Sequence, residues 1–313
     1  MTKVSICIPT YNNLNAFKRC LSSVLIQDFR DFEIIITDDS NNDDIFSYVN
    51  QIDFQNIQFQ YFRNKSPLKS PGNWNSAISF AKGEYVKLMH HDDWFTNESS
   101  LKIFVDLLDS NPNAILGFVS SKNINIENNS LININSPSKE WLDNIKKTPL
   151  ELVNNNFIGS PSAVIHRNNT NCEYDLKLKW FVDVDFYVNL LKTTNMEIVF
   201  NPIDAISIGI SKDQISRECE NNPNVIVFEF FYYLNKWKIF SVFENNQILK
   251  IALEIFKKFN ITKIDKIRYF GYTGKLPKGL NKIFFNFFII KYKAKIYWYF
   301  SRIKRKLRKI IST

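Results

Sequence analysis

The sequence predicts an α/β fold, a mostly parallel sheet flanked by helices, followed by a helical C-terminal extension. Three observations carry this reading. Short apolar runs with β-branched character recur through the first 119 residues, and apolar residues at helical spacing separate them. Strands that alternate with helices in this way build a parallel sheet covered on both faces. From Asn224 the text changes to long helical segments dense in large aromatics.

Taken in order, Val4–Ile8 is a buried strand ended by Pro9, and Leu14, Phe17, Leu21, Val24 and Leu25 mark an amphipathic helix over 14–27. A second strand, Glu33–Thr37, is followed by a helix over Asp43–Ile52. Ile57–Phe62 is the third strand, Trp74–Ala81 a helix and Tyr85–Met89 the fourth strand. Leu101, Phe104, Val105 and Leu108 mark another helix before the strand Ala114–Val119. Residues 120–147 are polar and lose the rhythm, with a small hairpin near Glu127–Ser130. A helix from about Asp183 to Lys192 and extended segments near 197–210 follow. Val225–Phe243 and Ile248–Phe259 read as helices. The resulting organisation is a domain over 1–215, split into halves 1–119 and 120–215, and a helical region over 216–313.

Charge is distributed unevenly. The chain has 313 residues and a net charge of +9. Twelve of its 40 Lys and Arg fall within Lys275–Thr313, which contains no Asp or Glu, so the remaining 28 are nearly balanced by all 31 acids. A near-neutral body argues against a nucleic-acid binder. The tail combines this charge with Phe287, Tyr297, Trp298 and Phe300, which suits an interfacial segment lying on an anionic membrane. Its densest apolar stretch, Ile283–Ile290, is far shorter than the ~20 residues that span a bilayer. The N-terminus runs directly into a strand, so the expected location is cytoplasmic and peripheral on the inner face of the membrane. Cys7, Cys20, Cys172 and Cys219 are scattered, which indicates neither a zinc site nor a disulfide framework.

Chemistry concentrates at three strand ends: Pro9-Thr10-Tyr11-Asn12, Asp38-Asp39-Ser40 and His90-His91-Asp92-Asp93. In a parallel sheet these ends open onto one edge, where α/β proteins bind ligands. An Asp at such a place is often only a turn or helix cap. Two adjacent carboxylates at the end of a buried strand, however, repel unless a cation or donors compensate. Mg²⁺ or Mn²⁺ suits them, since a hard cation bridges carboxylate to diphosphate. Zinc is disfavoured, because His90 and His91 on a strand end point opposite ways.

The stretches VSICIPTYNN, FEIIITDDSNND and GNWNSAISFAKGEYVKLMHHDDW resemble family 2 glycosyltransferases of the GT-A fold, as do NNFIGSPSAVIHR and LKWFVDVDFYVNLL downstream. The likeness covers about residues 3–215 and rests on five ordered motifs. It implies an inverting enzyme that moves a sugar from a nucleoside diphosphate sugar, with a uridine diphosphate sugar as the expected class, to a hydroxyl of a lipid-linked or cell-surface glycan. Pro9, Thr10 and Tyr11 would line the nucleobase pocket and Asp39 would accept from the base. Arg63 and Asn73 would sit near base and ribose. Asp92 would complete the D-x-D motif and hold a divalent Mn or Mg ion with Asp93 beside it. Asp183 would be the general base, Asp185 a helix-start or support residue, and Lys212 would face the diphosphate. The departure is His90, which stands where the motif's first Asp is expected and implies weaker metal binding.

Two other readings compete. A nucleotidyltransferase would open with a glycine-rich loop after the first strand, and no glycine precedes Gly72. A catalytically weakened sugar-nucleotide-binding protein on the same fold is the alternative that His90 keeps open.

Overall fold

The structure is a computed structural model that describes residues 2–168, 171–194, 196–211, 215–242 and 246–285. The chain forms two units, Met1–Cys219 and Glu220–Thr313.

In the first unit β1 (Val4–Thr10) pairs in parallel with β2 (Phe32–Asp38) on one side and with β4 (Tyr85–Leu88) on the other. Beyond β2 lies β3 (Gln58–Arg63), also parallel. β1 and β2 are buried along their whole length, because both faces of the sheet are covered. Ile6 and Ile8 join the cluster formed with Phe17, Leu21 and Val24 of helix α1 (Leu14–Leu25). On the other face, the Cys7 thiol reaches the Ala77 carbonyl of α3 (Lys69–Ser79) at 3.5 Å. Double coverage is why these strands read as unbroken apolar runs rather than as alternations.

The rest of the sheet is mixed. β8 (Val164–Arg167) is antiparallel to both β4 and β6 (Ala114–Asn125). β6 pairs in parallel with β9 (Glu197–Ile210). Two short strands complete it: β5 (Trp94–Phe95) against β9, and β7 (Ser130–Asn135) against β6. The helices α2 (Asp44–Val49) and α4 (Ser100–Asp109) fill the two crossovers where periodicity places them.

The polar stretch after Val119 holds more structure than its composition suggests. β6 continues to Asn125 because β7 and β9 flank it and satisfy its backbone on both sides. Helix α5 (Lys139–Lys147) starts at Ser138, whose side chain accepts from Trp141 N at 3.1 Å. α6 (Val182–Thr194) carries Asp183 and Asp185 in its first turn, and a short helix, α7 (Ile215–Glu220), follows β9.

The second unit contains α8 (Pro223–Lys236), α9 (Asn246–Lys258) and α10 (Ile264–Tyr269). Its core is aromatic: Phe231 packs on Phe256 and Tyr272 with ring centroids 6.2 and 5.7 Å away. The helix expected over Val225–Phe243 ends at Lys236, and Lys238 takes a positive φ of 57°. No described helix is long and apolar enough to cross a membrane. The tail aromatics Phe287, Tyr297, Trp298 and Phe300, and Lys212, lie outside the described residues.

Candidate active site

Because β2, β1 and β4 are parallel neighbours, their three polar ends lie along one edge of the sheet. The edge is tied together mainly by two side chains. Asn73, buried on α3, donates from Nδ2 to the carbonyls of Thr10 (3.3 Å) and Thr37 (3.1 Å) and accepts from Asn64 at Oδ1 (2.9 Å). Asp39 accepts at Oδ1 from Asn64 Nδ2 (2.7 Å) and Leu68 N (3.0 Å), and at Oδ2 from Lys69 N (2.7 Å). Lys69 takes a φ of 60°, a strained conformation that aims its N–H at this carboxylate. Asp39 thus anchors the loop over 64–69, with three of its roughly four lone-pair sites filled. Asp38 is a turn residue: its Oδ1 accepts from Ser40 N at 2.8 Å and its Oδ2 from the Tyr61 hydroxyl at 2.6 Å.

Asn73→Ala removes three hydrogen bonds at a buried position and is expected to cost about 2–3 kcal/mol. Chemical denaturation would measure it, and an unchanged midpoint would deny Asn73 this bracing role.

Near Pro9 the buried Thr10 hydroxyl has no hydrogen-bond partner among the described residues. Half-exposed Tyr11 lines an open hollow of about 570 Å³ with Asn12, Asn13, Leu14 and Asn15. Arg63, at the end of β3, forms an ion pair with Asp43 and donates to the Asn42 carbonyl at 2.9 Å.

At the end of β4 the two carboxylates differ. Asp93 is buried; its Oδ1 accepts from Gly209 N at 3.2 Å and its Oδ2 from the Ser160 hydroxyl at 3.5 Å. Burial, and then the Asp92 charge beside it, hold the Asp93 carboxyl well above the usual carboxylate range. Among the described residues nothing donates to the Asp92 carboxylate, whereas its backbone carbonyl accepts from Arg19 Nη2 at 2.9 Å. His90 packs on Trp74, and burial pushes its imidazole below the ordinary range. Its Nε2 is buried and has no hydrogen-bond partner among the described residues.

One ligand atom each from His90, Asp92 and Asp93 lies within 4.8 Å of the others. Ligand atoms opposed across a Mg²⁺ ion can be at most about 4.2 Å apart. His90 Nδ1 and Asp93 Oδ2, at 3.9 Å, meet that limit. The donors therefore fit a hard divalent ion that keeps water or substrate oxygens in its remaining positions.

Sequence reasoning passed over what holds this cluster from behind. Lys87 is fully buried on β4, with its ammonium 4.3 Å from the centroid of Phe104 and donating to the Ser162 carbonyl. The Ser162 hydroxyl in turn accepts from His90 N at 2.9 Å. A lysine in an apolar strand, KLM after Tyr85-Val86, was the available signal.

On α6, Asp183 Oδ1 is buried without a partner, and burial raises the carboxyl to about 7. Asp185 is fully buried in the same turn. Of the five buried side-chain atoms without a hydrogen-bond partner among the described residues, three belong to Thr10, His90 and Asp183, and the others to Arg19 and His166. Unpaired buried polar groups cost free energy, and three of the five fall on candidate site residues.

Residues 5–170 match the family described as Glycosyl transferase family 2. The chain belongs to this family. Its relatives include an Escherichia coli enzyme named UDP-Glc:alpha-D-GlcNAc-diphosphoundecaprenol beta-1,3-glucosyltransferase WfgD, 24% identical over 79% of this chain and 89% of the relative. A Campylobacter jejuni GalNAc(5)-diNAcBac-PP-undecaprenol beta-1,3-glucosyltransferase is 35% identical over 94 residues, about 30% of each chain. The match thus spans under a third of that enzyme's length. Among solved structures, S. aureus TarS 1-349 in complex with UDP-GlcNAc superposes with a TM-score of 0.59 at 18% identity, covering 83% of this chain and 73% of that one. The mannosyltransferase PcManGT from Pyrobaculum calidifontis, in complex with GDP-Man and Mn2+, gives 0.55 at 12% identity over 85% and 77%. These similarities establish the GT-A-like fold, and the family makes the chain a glycosyltransferase.

Proposed function

We propose that this glycosyltransferase inverts the anomeric centre of a uridine diphosphate sugar and delivers the sugar to a hydroxyl of a lipid-linked glycan. The observation that carries the reading is that Asp92 and Asp183 accept no hydrogen bond from the protein among the described residues. Asp92 has no protein donor among the described residues, and Asp183 Oδ1 is buried without one and poised near neutral pH. Asp183 accepts the proton of the acceptor hydroxyl as that oxygen attacks the anomeric carbon. Asp92, with Asp93 beside it, would hold a divalent ion, and His90 would hydrogen-bond the ribose. The chemistry such an ion would supply is neutralisation of charge on the leaving diphosphate. Thr10 and Tyr11 border the base, with Asp39 and Arg63 at the adjoining strand ends. The motifs offer no dedicated nucleophile, which supports a single displacement with inversion. Support for the donor and acceptor classes comes from the relatives, whose names specify UDP-Glc and undecaprenol-linked acceptors. A donor screen that follows release of nucleoside diphosphate tests the reading, with proton NMR of the product giving the anomeric configuration. A retained configuration would remove the single-displacement mechanism.

The basic tail supplies access to such an acceptor. Surface attraction is worth about 1 kcal/mol per Lys or Arg near an anionic membrane and is screened by salt. The full chain is expected to sediment with anionic vesicles at low salt and to be released at high salt. Equal binding to neutral vesicles would contradict an electrostatic anchor.

A further inference from the structure

We propose that the Trp74 indole is the wall against which the transferred sugar packs, and that it sets donor choice; this rests on the function proposed above. Trp74 belongs to α3 and is only partly buried. Its ring centroid lies 4.5 Å from that of His90 at a tilt of 37°, and it meets Tyr174 edge-on at 5.2 Å. Tyr174 is stacked on Phe186 of α6 at 3.9 Å, one turn along from Asp183. A continuous aromatic path therefore leads from the metal motif to the base, and Trp74 spans its middle.

That placement is held rather than incidental. The neighbouring Asn75 clasps the Tyr174 backbone from both sides, donating to its carbonyl at 2.8 Å and accepting from its N–H at 2.9 Å. The clasp fixes α3 against the segment that precedes α6, and so fixes the indole relative to both reacting ends. In a single displacement the anomeric carbon must lie between the diphosphate leaving at Asp92 and the acceptor oxygen arriving at Asp183. The ring carrying that carbon then occupies the space that Trp74 borders. An indole face is electron-rich and attracts positive charge. Glycosyl transfer builds positive charge on the sugar ring as the bond to diphosphate stretches and its electron pair departs with the phosphate oxygen, as in other reactions through an oxocarbenium-like state. The wall thus offers both a surface complementary to the sugar's C–H face and attraction that grows toward the transition state.

The test compares Trp74→Phe and Trp74→Leu with the unaltered full chain. Measured quantities are uridine diphosphate affinity by calorimetry, melting temperature, and kcat and KM with UDP-hexose and UDP-N-acetylhexosamine donors. The Leu variant is expected to bind uridine diphosphate within about twofold of normal. It should lose transfer by about 30-fold, mostly in kcat, and the ratio between the two donors should change. The Phe variant, which keeps an aromatic face, should recover most of the rate. Equal transfer and an unchanged donor ratio in the Leu variant would overturn the proposal, and so would a loss of uridine diphosphate affinity as large as the loss of transfer. If the Leu variant does not fold, an unchanged kcat and donor ratio with Phe in place would support the wall, and a Phe variant as slow as a dead enzyme would count against it. Asp92→Ala and Asp183→Asn run alongside: normal transfer by both removes the underlying function, whereas their inactivity beside a normal Trp74→Leu removes this inference alone.

Discussion

Replacing Asp183 by Asn leaves donor affinity intact and lowers sugar transfer by about 10²-fold or more, within the range ascribed to a general base. Asn keeps the shape of the side chain and cannot accept the proton. Asp185 is the control, since it sits fully buried in the same helical turn. Its replacement should act on stability before it acts on the proton transfer. If Asp185→Asn transfers poorly while folded and Asp183→Asn transfers normally, the base is the other carboxylate.

The same residue dictates the pH dependence. Burial disfavours the charged form and raises the Asp183 carboxyl to about 7, against its position at the N-terminus of a helix, which alone would favour the anion. A base works only when deprotonated. The free enzyme's kcat/KM is therefore expected to climb as pH rises through about 7 and to level off above it. The linkage has a matching sign for stability. A carboxyl whose folded pKa lies above its unfolded value binds its proton more tightly when folded, so folding is weakened as pH rises from about 4 to about 7. Asp183→Asn should consequently raise the melting temperature at pH 8 more than at pH 5. A flat rate profile between pH 5.5 and 8.5 would deny Asp183 the role of base.

The second large effect is at Asp92. Asp92→Ala is expected to abolish the response to added Mn²⁺ and to lower transfer by about 10³-fold, since metal-assisted charge stabilisation is worth several kcal/mol. Electron paramagnetic resonance gives a readout independent of turnover: the free Mn²⁺ signal should be depleted by the unaltered protein and not by the variant. Asp93 behaves differently because the Gly209 N–H and the Ser160 hydroxyl already engage it. Undiminished Mn²⁺ uptake by Asp92→Ala would move the ion to another residue.

Much of this site was readable before any coordinates, for a physical reason. Strands buried on both faces leave continuous apolar runs, so β1, β2 and β4 are found by composition, and the polar residues that end them are the chemistry. What sequence could not resolve is how those polar residues divide the work. Asp38 and Asp39 look alike in the chain, yet one closes a turn against Ser40 and Tyr61 while the other anchors the loop over 64–69. Asn73 is expected near base and ribose, and its Nδ2 also braces the ends of β1 and β2, which sequence does not show. Lys87 carries no periodic signal at all; only packing shows that its ammonium ends beneath the metal motif at Ser162. The expected hairpin near Glu127–Ser130 is the turn between β6 and β7, whereas the elements missed, β5 and α5, are short and are held by a strand distant in sequence or by a single cap. Local patterning does not encode such support.

The most direct test incubates the full chain with UDP-glucose and an undecaprenyl-diphosphate-linked sugar acceptor, with Mn²⁺ or with a chelator, and measures uridine diphosphate release together with the anomeric configuration of the product. Release that requires both metal and acceptor, with an inverted product and none from Asp183→Asn, is the expected result. Release at full rate in chelator, or a product of retained configuration, would contradict it.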